Sequence, residues 1–346
     1  MLTDGFARVD LAHCPTPLEP MPNLSKALGG PDLWIKRDDC TGLAFGGNKA
    51  RQLEYYIGDA ATKGADILLT TGATQSNHVR STVAAARKLG IDCEVQLEKR
   101  VSGRRPEYHT MGNPMLVELM QAPIHHYAVG EDEEGADRAL FARAEELKAA
   151  GRSPYVIPLA PMDHPPLGAL GYVRAAEELQ QDCQRLDLAI DAYVLPSGSG
   201  STHAGLLVGL RALGIKVPVY GFCVRRDQVA QADRVYRRTC MVADMIGHSG
   251  CVTMDDVLVD DGPLGPGYGQ LTDDVHKAIA LTARHEGILL DPTYTAKSMA
   301  GLITQIAYGH YDRANNVVYL HTGGTPALFG YPELVDDRPV GAQNPT

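Results

Sequence analysis

No apolar run in this chain approaches the roughly 20 residues that a membrane-crossing helix needs; the longest apolar stretches have the length of core strands. No membrane association is expected. The opening residues, MLTDGFARVDLAHCPTPLEP, carry an acid early and lack the apolar segment of a secretory leader, so a cytoplasmic protein is expected. A basic excess is missing as well. Formal net charge is −10, whereas nucleic-acid binding normally relies on a basic face. The densest basic cluster, EKRVSGRRPEYH at 98–109, reads as a solvated loop; a lid offering Arg104 or Arg105 to an anionic substrate is the sharper alternative. Cysteine pairing is absent too. The seven cysteines are scattered, odd in number and contain no CxxC, which fits reduced thiols and not a disulfide framework. His125 and His126 lack a further ligand at metal-site spacing, so no metal is expected.

What is present is ordinary globular material. With 346 residues, 44% of them hydrophobic, the chain can bury one large core or two moderate ones. Strand and helix patterns alternate. ADILLTTGA (65–73) reads as a buried strand, SNHVRSTVAAARKLG (76–90) as an amphipathic helix stopped by Gly90, and DCEVQLE (92–98) as a strand. The same order returns in 191–198, 201–214 and 216–224, with a late strand in 315–324 and a strand-like GILLDPTY at 287–294. Short links between such units predict parallel sheets with right-handed crossovers. Two α/β lobes are expected, a smaller one over 50–160 and a larger one over 1–49 plus 161–346.

Ligands in open α/β sheets bind beyond the carboxyl ends of the strands. One loop there, SGSGST (197–202), is built for an anion: small residues admit a close backbone, hydroxyls can donate, and a helix begins at its end. The alternative is a plain tight turn. No GxxxxGK[ST] is present, and the sixth position of a dinucleotide fingerprint counted from Gly198 is His203. Elsewhere GGNK places Lys49 where a helix begins, although a helix start disfavours a cation. A phosphate cradle plus such a lysine suggests pyridoxal 5'-phosphate (PLP), which joins a lysine amine as a Schiff base. A phosphate- or nucleotide-binding module without PLP is the non-enzymatic alternative.

IKRDD (35–39), GGNKAR (46–51), GATQSNHVR (72–80), GYG (267–269), DPTYTAKSMAG (291–301) and HTGGTPALFGY (321–331) together resemble the PLP-dependent enzymes of fold type II, which are tryptophan-synthase-β-like. More narrowly they are similar to the 1-aminocyclopropane-1-carboxylate (ACC) deaminase / D-cysteine desulfhydrase family. The resemblance implies a two-lobed α/β fold, with parallel sheets flanked by helices, and a homodimer. It implies a lyase or deaminase acting on a small amino acid. Lys49 matches the cofactor-bearing lysine, with Asn48 before it and Gln52 one turn on. Gln75, Ser76, Asn77 and His78 match the loop facing cofactor and substrate, where Asn77 would hold the ring hydroxyl and Ser76 the substrate carboxylate. Ser197, Gly198, Ser199, Gly200, Ser201 and Thr202 match the phosphate loop. Tyr268 and Tyr294 match two tyrosines flanking the substrate, and Thr322 a residue near the ring nitrogen.

Two departures matter. The family usually has a second lysine for the phosphate at the position of Gln52, and a neutral amide brings no charge. ACC deaminases typically carry a glutamate where this chain has Thr295. That argues against opening a cyclopropane and for β-elimination, with D-cysteine desulfhydration foremost and L-cysteate sulfo-lysis or ACC-type deamination as alternatives. PLAPMDHPP (158–166) replaces a small Gly/Ser-rich turn; it offers His164 as a substrate contact, with Asp163 beside it, or is only a rigid surface loop. Arg225 and Arg226 read as capping a solvated turn, and Asp38 and Asp39 as capping a loop.

Overall fold

The computed structural model describes residues 1–159, 162, 164–313 and 315–336. Among the described residues ten strands form two sheets: β1 (Leu18–Pro20), β2 (Asp32–Lys36), β3 (Ile67–Ala73), β4 (Asp92–Glu98), β5 (Ile124–Tyr127), β6 (Pro154–Ile157), β7 (Ala192–Ser197), β8 (Val219–Cys223), β9 (Leu258–Asp260) and β10 (Asn316–Leu320). The larger sheet has the order β1-β2-β10-β7-β8-β9 and the smaller β5-β4-β3-β6. Every residue of β3 is buried, as a parallel strand covered by helices on both faces requires. The predicted helix after it spans Asn77–Leu89: Ser76 caps its start by accepting the Val79 N–H, and Gly90 ends it with φ +68°.

Two expectations are corrected. The larger sheet is mixed, because β1 runs antiparallel to β2. Residues 21–31 between them are fewer than the dozen or so that a parallel crossover requires. The strand-like 287–294 is not a strand. The Asp291 carboxylate accepts the backbone N–H groups of Thr293, Tyr294 and Thr295 at 2.9 Å each, which bends the chain into the helix Thr295–Ala307.

Apolar side chains fill both faces of each sheet. Leu170, Val173, Leu206 and Val208 pack on one side of the larger sheet, and Phe222, Leu290, Met299 and Leu302 on the other. Leu53, Ile57, Val79 and Val83 pack together beside the smaller sheet, whose other face meets Leu140 and Ala144. Asp38, read above as a loop cap, is instead half of a buried ion pair. Arg51 pairs with Asp38 and Glu178 at 2.8 Å each, and Lys36 with Glu178 and Asp182 at 2.6 and 2.7 Å. This network ties β2 and the helix Leu170–Leu186 to the helix Asn48–Thr62, which begins the site. No helix among the described residues is long and apolar enough to cross a membrane.

Candidate active site

The turn before Lys49 is glycine because nothing larger fits. Gly46 has φ +63°, and a Cβ there would lie 2.1 Å from the Asp39 carbonyl oxygen. Gly47 (φ +112°) caps the helix Asn48–Thr62. The Asn48 N–H donates to the Thr322 carbonyl at 3.0 Å, and a Cβ on Gly323 would come within 2.5 Å of Gly47 Cα. The lysine turn and the HTGG loop are therefore pressed backbone to backbone. Lys49 then projects into a cleft at the carboxyl ends of β3, β7, β8 and β10, the usual ligand position in such sheets. Its Nζ donates to Gln52 Oε1 at 3.1 Å. Burial, with the nearby Arg238 charge, pulls its ammonium down to about 8.

Opposite Lys49 lies the SGSGST turn. Gly200 (φ +88°) is the N-cap of the helix Ser201–Ala212, whose first N–H groups face the turn. Gly198, Ser199, Gly200 and Thr202 line the cleft. Asn48 Nδ2 and Gln52 Nε2 both donate to Thr202 Oγ1 at 2.9 Å, joining the lysine helix to the turn. Ser197 also lines the cleft, but its hydroxyl is engaged from behind: Gln231 Nε2 donates to it at 2.8 Å and His203 Nδ1 is 3.3 Å away.

The third wall is the start of the helix Asn77–Leu89. Arg80, wholly buried, donates to Asn77 Oδ1 at 3.0 Å, to Asn113 Oδ1 at 2.8 Å and to the Gly46 carbonyl at 2.8 Å. Asn113 Nδ2 also donates to Asn77 Oδ1, at 3.0 Å. Two donors on the oxygen fix the Asn77 amide, so its NH₂ is the end left to donate elsewhere. Ser76 Oγ accepts from Val79 N at 3.2 Å, which leaves its proton to donate. His78 lines the cleft, and its Nε2 is buried with no partner. Burial, followed by the Lys49 charge, lowers its imidazole to about 3, so it is neutral.

Tyr268 and Tyr294 close the cleft, their hydroxyls 2.5 Å apart. The loop of Tyr268 is held from below, where buried Lys297 donates to the carbonyls of Leu264 at 2.5 Å and Gly267 at 2.7 Å. Arg100, Arg225, Arg226 and Glu133 complete the rim. All three cations are paired: Arg100 with buried Glu98, Arg225 with Glu131 and Glu133, Arg226 with Glu133. Although burial pushes the Glu133 carboxyl up, Arg225 and Arg226 hold it down, at about 2.

The cleft thus brings together Asn48, Lys49, Ser76, Asn77, His78, Ser197, Gly198, Ser199, Gly200, Thr202, Tyr268, Tyr294 and Thr322. Other expected residues stand back from it. Gln75 is used inside the protein, with Nε2 donating to the carbonyls of Tyr108 and Met111 and Oε1 accepting from Asn113 N. Gln52 and Ser201 lie behind the wall, and both are buried. The Thr295 hydroxyl is turned into the protein, donating to Asp291 Oδ1 at 2.7 Å. His164 stacks on Phe141 and lines an adjoining space with Arg234; Asp163 lies outside the described residues. Sequence reasoning missed Glu133 and left Arg100 and Arg225–Arg226 on solvated loops. The two arginines follow β8 after a single residue, Val224, where the strand end opens on the cleft, and that was the available signal. Asp39 is held by Arg37 at 2.7 Å and faces His321.

The donor set fits pyridoxal phosphate. A helix N-terminus, where a Cβ on Gly200 would meet Arg238, offers an anion cradle. A neutralisable lysine stands across from it, and an oriented amide stands between. Comparison with known proteins agrees. Residues 9–323 match the family described as "Pyridoxal-phosphate dependent enzyme". The chain is 42% identical over 326 residues to a protein named D-cysteine desulfhydrase from Salmonella paratyphi C (strain RKS4594), covering 94% of this chain and 96% of that one. The protein of the same name from Salmonella newport (strain SL254) is 41% identical over the same length. A solved structure described as an ACC deaminase homologue superposes with a TM-score of 0.86, at 35% identity and 96% coverage of each chain.

Proposed function

Since the chain belongs to the pyridoxal-phosphate dependent enzyme family, we propose that it is a carbon–sulfur lyase converting D-cysteine and water to pyruvate, hydrogen sulfide and ammonia. The carrying observation is the 41–42% identity to D-cysteine desulfhydrases over 94% of the chain. The neutral Thr295, its hydroxyl committed to Asp291, supports β-elimination over ACC deamination.

Lys49 would hold the cofactor covalently at rest. Asn48, Ser199, Gly200 and Thr202 would hold its phosphate, the Asn77 NH₂ its ring hydroxyl, and Thr322 would stand near its ring nitrogen. When bound, the cofactor supplies the electron sink that makes the α-proton of an amino acid acidic. Lys49 Nζ is the proton acceptor, since an amine lowered from 10.5 to about 8 by burial has a usable free fraction near neutral pH. Ser76 Oγ, its lone pair fixed by Val79 N, donates to the substrate carboxylate. The Tyr268–Tyr294 pair holds one hydroxyl proton between its oxygens and has a second to hand to a departing sulfur. A sulfonate leaving group would look for cations, but Arg100, Arg225 and Arg226 already have carboxylates; this favours a thiol over L-cysteate. A homodimer belongs to the same reading. Exposed Met111, Met115 and Phe329 support it, on segments joined where Gly112 packs on Pro326.

The test is release of 2-oxo acid and sulfide by the PLP-loaded protein from D-cysteine, L-cysteine, L-cysteate and ACC. Sulfide and pyruvate from D-cysteine, lost in Lys49→Ala, are expected. Turnover of L-cysteate or ACC without D-cysteine would overturn the reading.

A further inference from the structure

Gln52 stands one helical turn after Lys49, where the family resemblance leads one to look for a phosphate-binding lysine. Its amide is held at both ends inside the protein: Nε2 donates to Thr202 Oγ1 at 2.9 Å, and Oε1 accepts from Lys49 Nζ at 3.1 Å. It brings no charge to a group that carries close to two negative charges.

Positive charge reaches the same turn from another element. The helix Gln228–Met245 passes the SGSGST turn and places Arg238, with no exposed surface, against Gly200. A Cβ on Gly200 would come 3.1 Å from Arg238 Cδ and 3.6 Å from its Nε. Gly200 is the cap of the buried helix Ser201–Ala212. A helix N-terminus repels a cation, so a guanidinium placed beside one is stabilised when an anion binds at the same turn. Neighbouring arginines grip the outside of the turn: Arg226 Nη1 donates to the Gly198 carbonyl at 3.2 Å and Arg234 Nε to that of Ser199 at 3.0 Å. The charge of Arg238 is felt in the cleft, where it adds to burial in lowering Lys49.

Resting on the reading of this cleft as a pyridoxal phosphate site, the geometry points to Arg238 as the residue that neutralises the cofactor phosphate, in place of a lysine at position 52. It does so from a separate helix, behind Gly200.

Titration of the apoprotein with pyridoxal phosphate and with pyridoxal, which lacks the phosphate, tests this through absorbance of the lysine-bound chromophore. Titrated well above the value of about 8 to which Lys49 is lowered, so that its amine is free, Arg238→Gln weakens pyridoxal phosphate binding about 10- to 100-fold, the worth of one charge-assisted bond, and weakens pyridoxal binding far less. Arg238→Lys recovers most of the loss, and Gln52→Lys added to Arg238→Gln restores affinity from the other helix. Equal losses for both ligands, or none for the phosphorylated one, would overturn the assignment. Should Arg238→Gln not fold, Gln52→Lys alone decides: a gain below about threefold fits a phosphate already neutralised, and a gain of about tenfold or more contradicts it. Substrate turnover is not read, so failure of the D-cysteine reading leaves these titrations intact.

Discussion

Arg80 Nη1 donates to Asn77 Oδ1 at 3.0 Å, one turn back along the same helix. The bond decides which end of the Asn77 amide is left for a ligand. Arg80 also holds the Gly46 carbonyl at 2.8 Å, so one buried guanidinium sets both the amide and the lysine turn. Arg80→Met removes these charged bonds and leaves their acceptors short of donors, costing about 3 kcal/mol of stability and about tenfold in cofactor affinity. Urea denaturation of the apoprotein and a cofactor titration check the two effects separately.

Lys49 gives a pH dependence with a defined sign. Its amine is the reactive form, and burial lowers the ammonium from 10.5 to about 8. Capture of cofactor by the apoprotein therefore rises with pH and levels off above about 8, well short of 10.5. The unfolded chain keeps the proton up to its ordinary value, so this group disfavours the fold below about 8 and the penalty fades as pH rises toward 10.5. Stopped-flow absorbance across pH 6 to 10 reads the capture rate; a plateau delayed to pH 10 contradicts the assignment.

Lys297→Met unties the loop of Tyr268 by removing the donor to the Leu264 and Gly267 carbonyls. Turnover falls about tenfold, the order expected for a misplaced proton donor, while cofactor affinity stays at the wild-type value. Steady-state kinetics beside a cofactor titration separate positioning from binding.

Thr295→Glu does not convert the protein to an ACC deaminase. The side chain is wholly buried, with its hydroxyl 2.7 Å from Asp291 Oδ1, and burial already raises the Asp291 carboxyl. A second carboxylate there is repelled and desolvated. A lowered Tm with no ACC turnover is expected.

Arg51→Ala leaves buried Asp38 without its cation and Glu178 with Lys36 alone, and costs about 3–5 kcal/mol. Chemical denaturation measures it, and recovery by Arg51→Lys is only partial because the forked contact is lost.

Much of this was legible in the sequence because the chemistry sits at strand ends. A buried β3 followed by a capped helix presents Ser76, Asn77 and His78, and the Gly/Ser turn after β7 presents the anion cradle. What was not legible depends on side chains meeting across the fold. Thr295 and Gln75 carry the right chemistry on the right segments, but their polar atoms turn inward to Asp291 and to the Tyr108 and Met111 carbonyls. Arg100 and Arg225 look like surface charge until Glu98 and Glu133 are seen beside them. Arg238 has no sequence neighbour to announce it, since Gly200 lies 38 positions earlier in the chain.

β10 is the last strand among the described residues, yet it lies inside the larger sheet, hydrogen-bonded to β2 on one side and β7 on the other. The larger sheet is therefore continuous only through residues 316–320, which pair with β2 on one edge and β7 on the other. Just beyond that strand, the Thr322 carbonyl accepts the Asn48 N–H. The strand that closes the sheet is thus also the one that backs the lysine turn, so a change that loosens β10 reaches the first turn of the helix Asn48–Thr62.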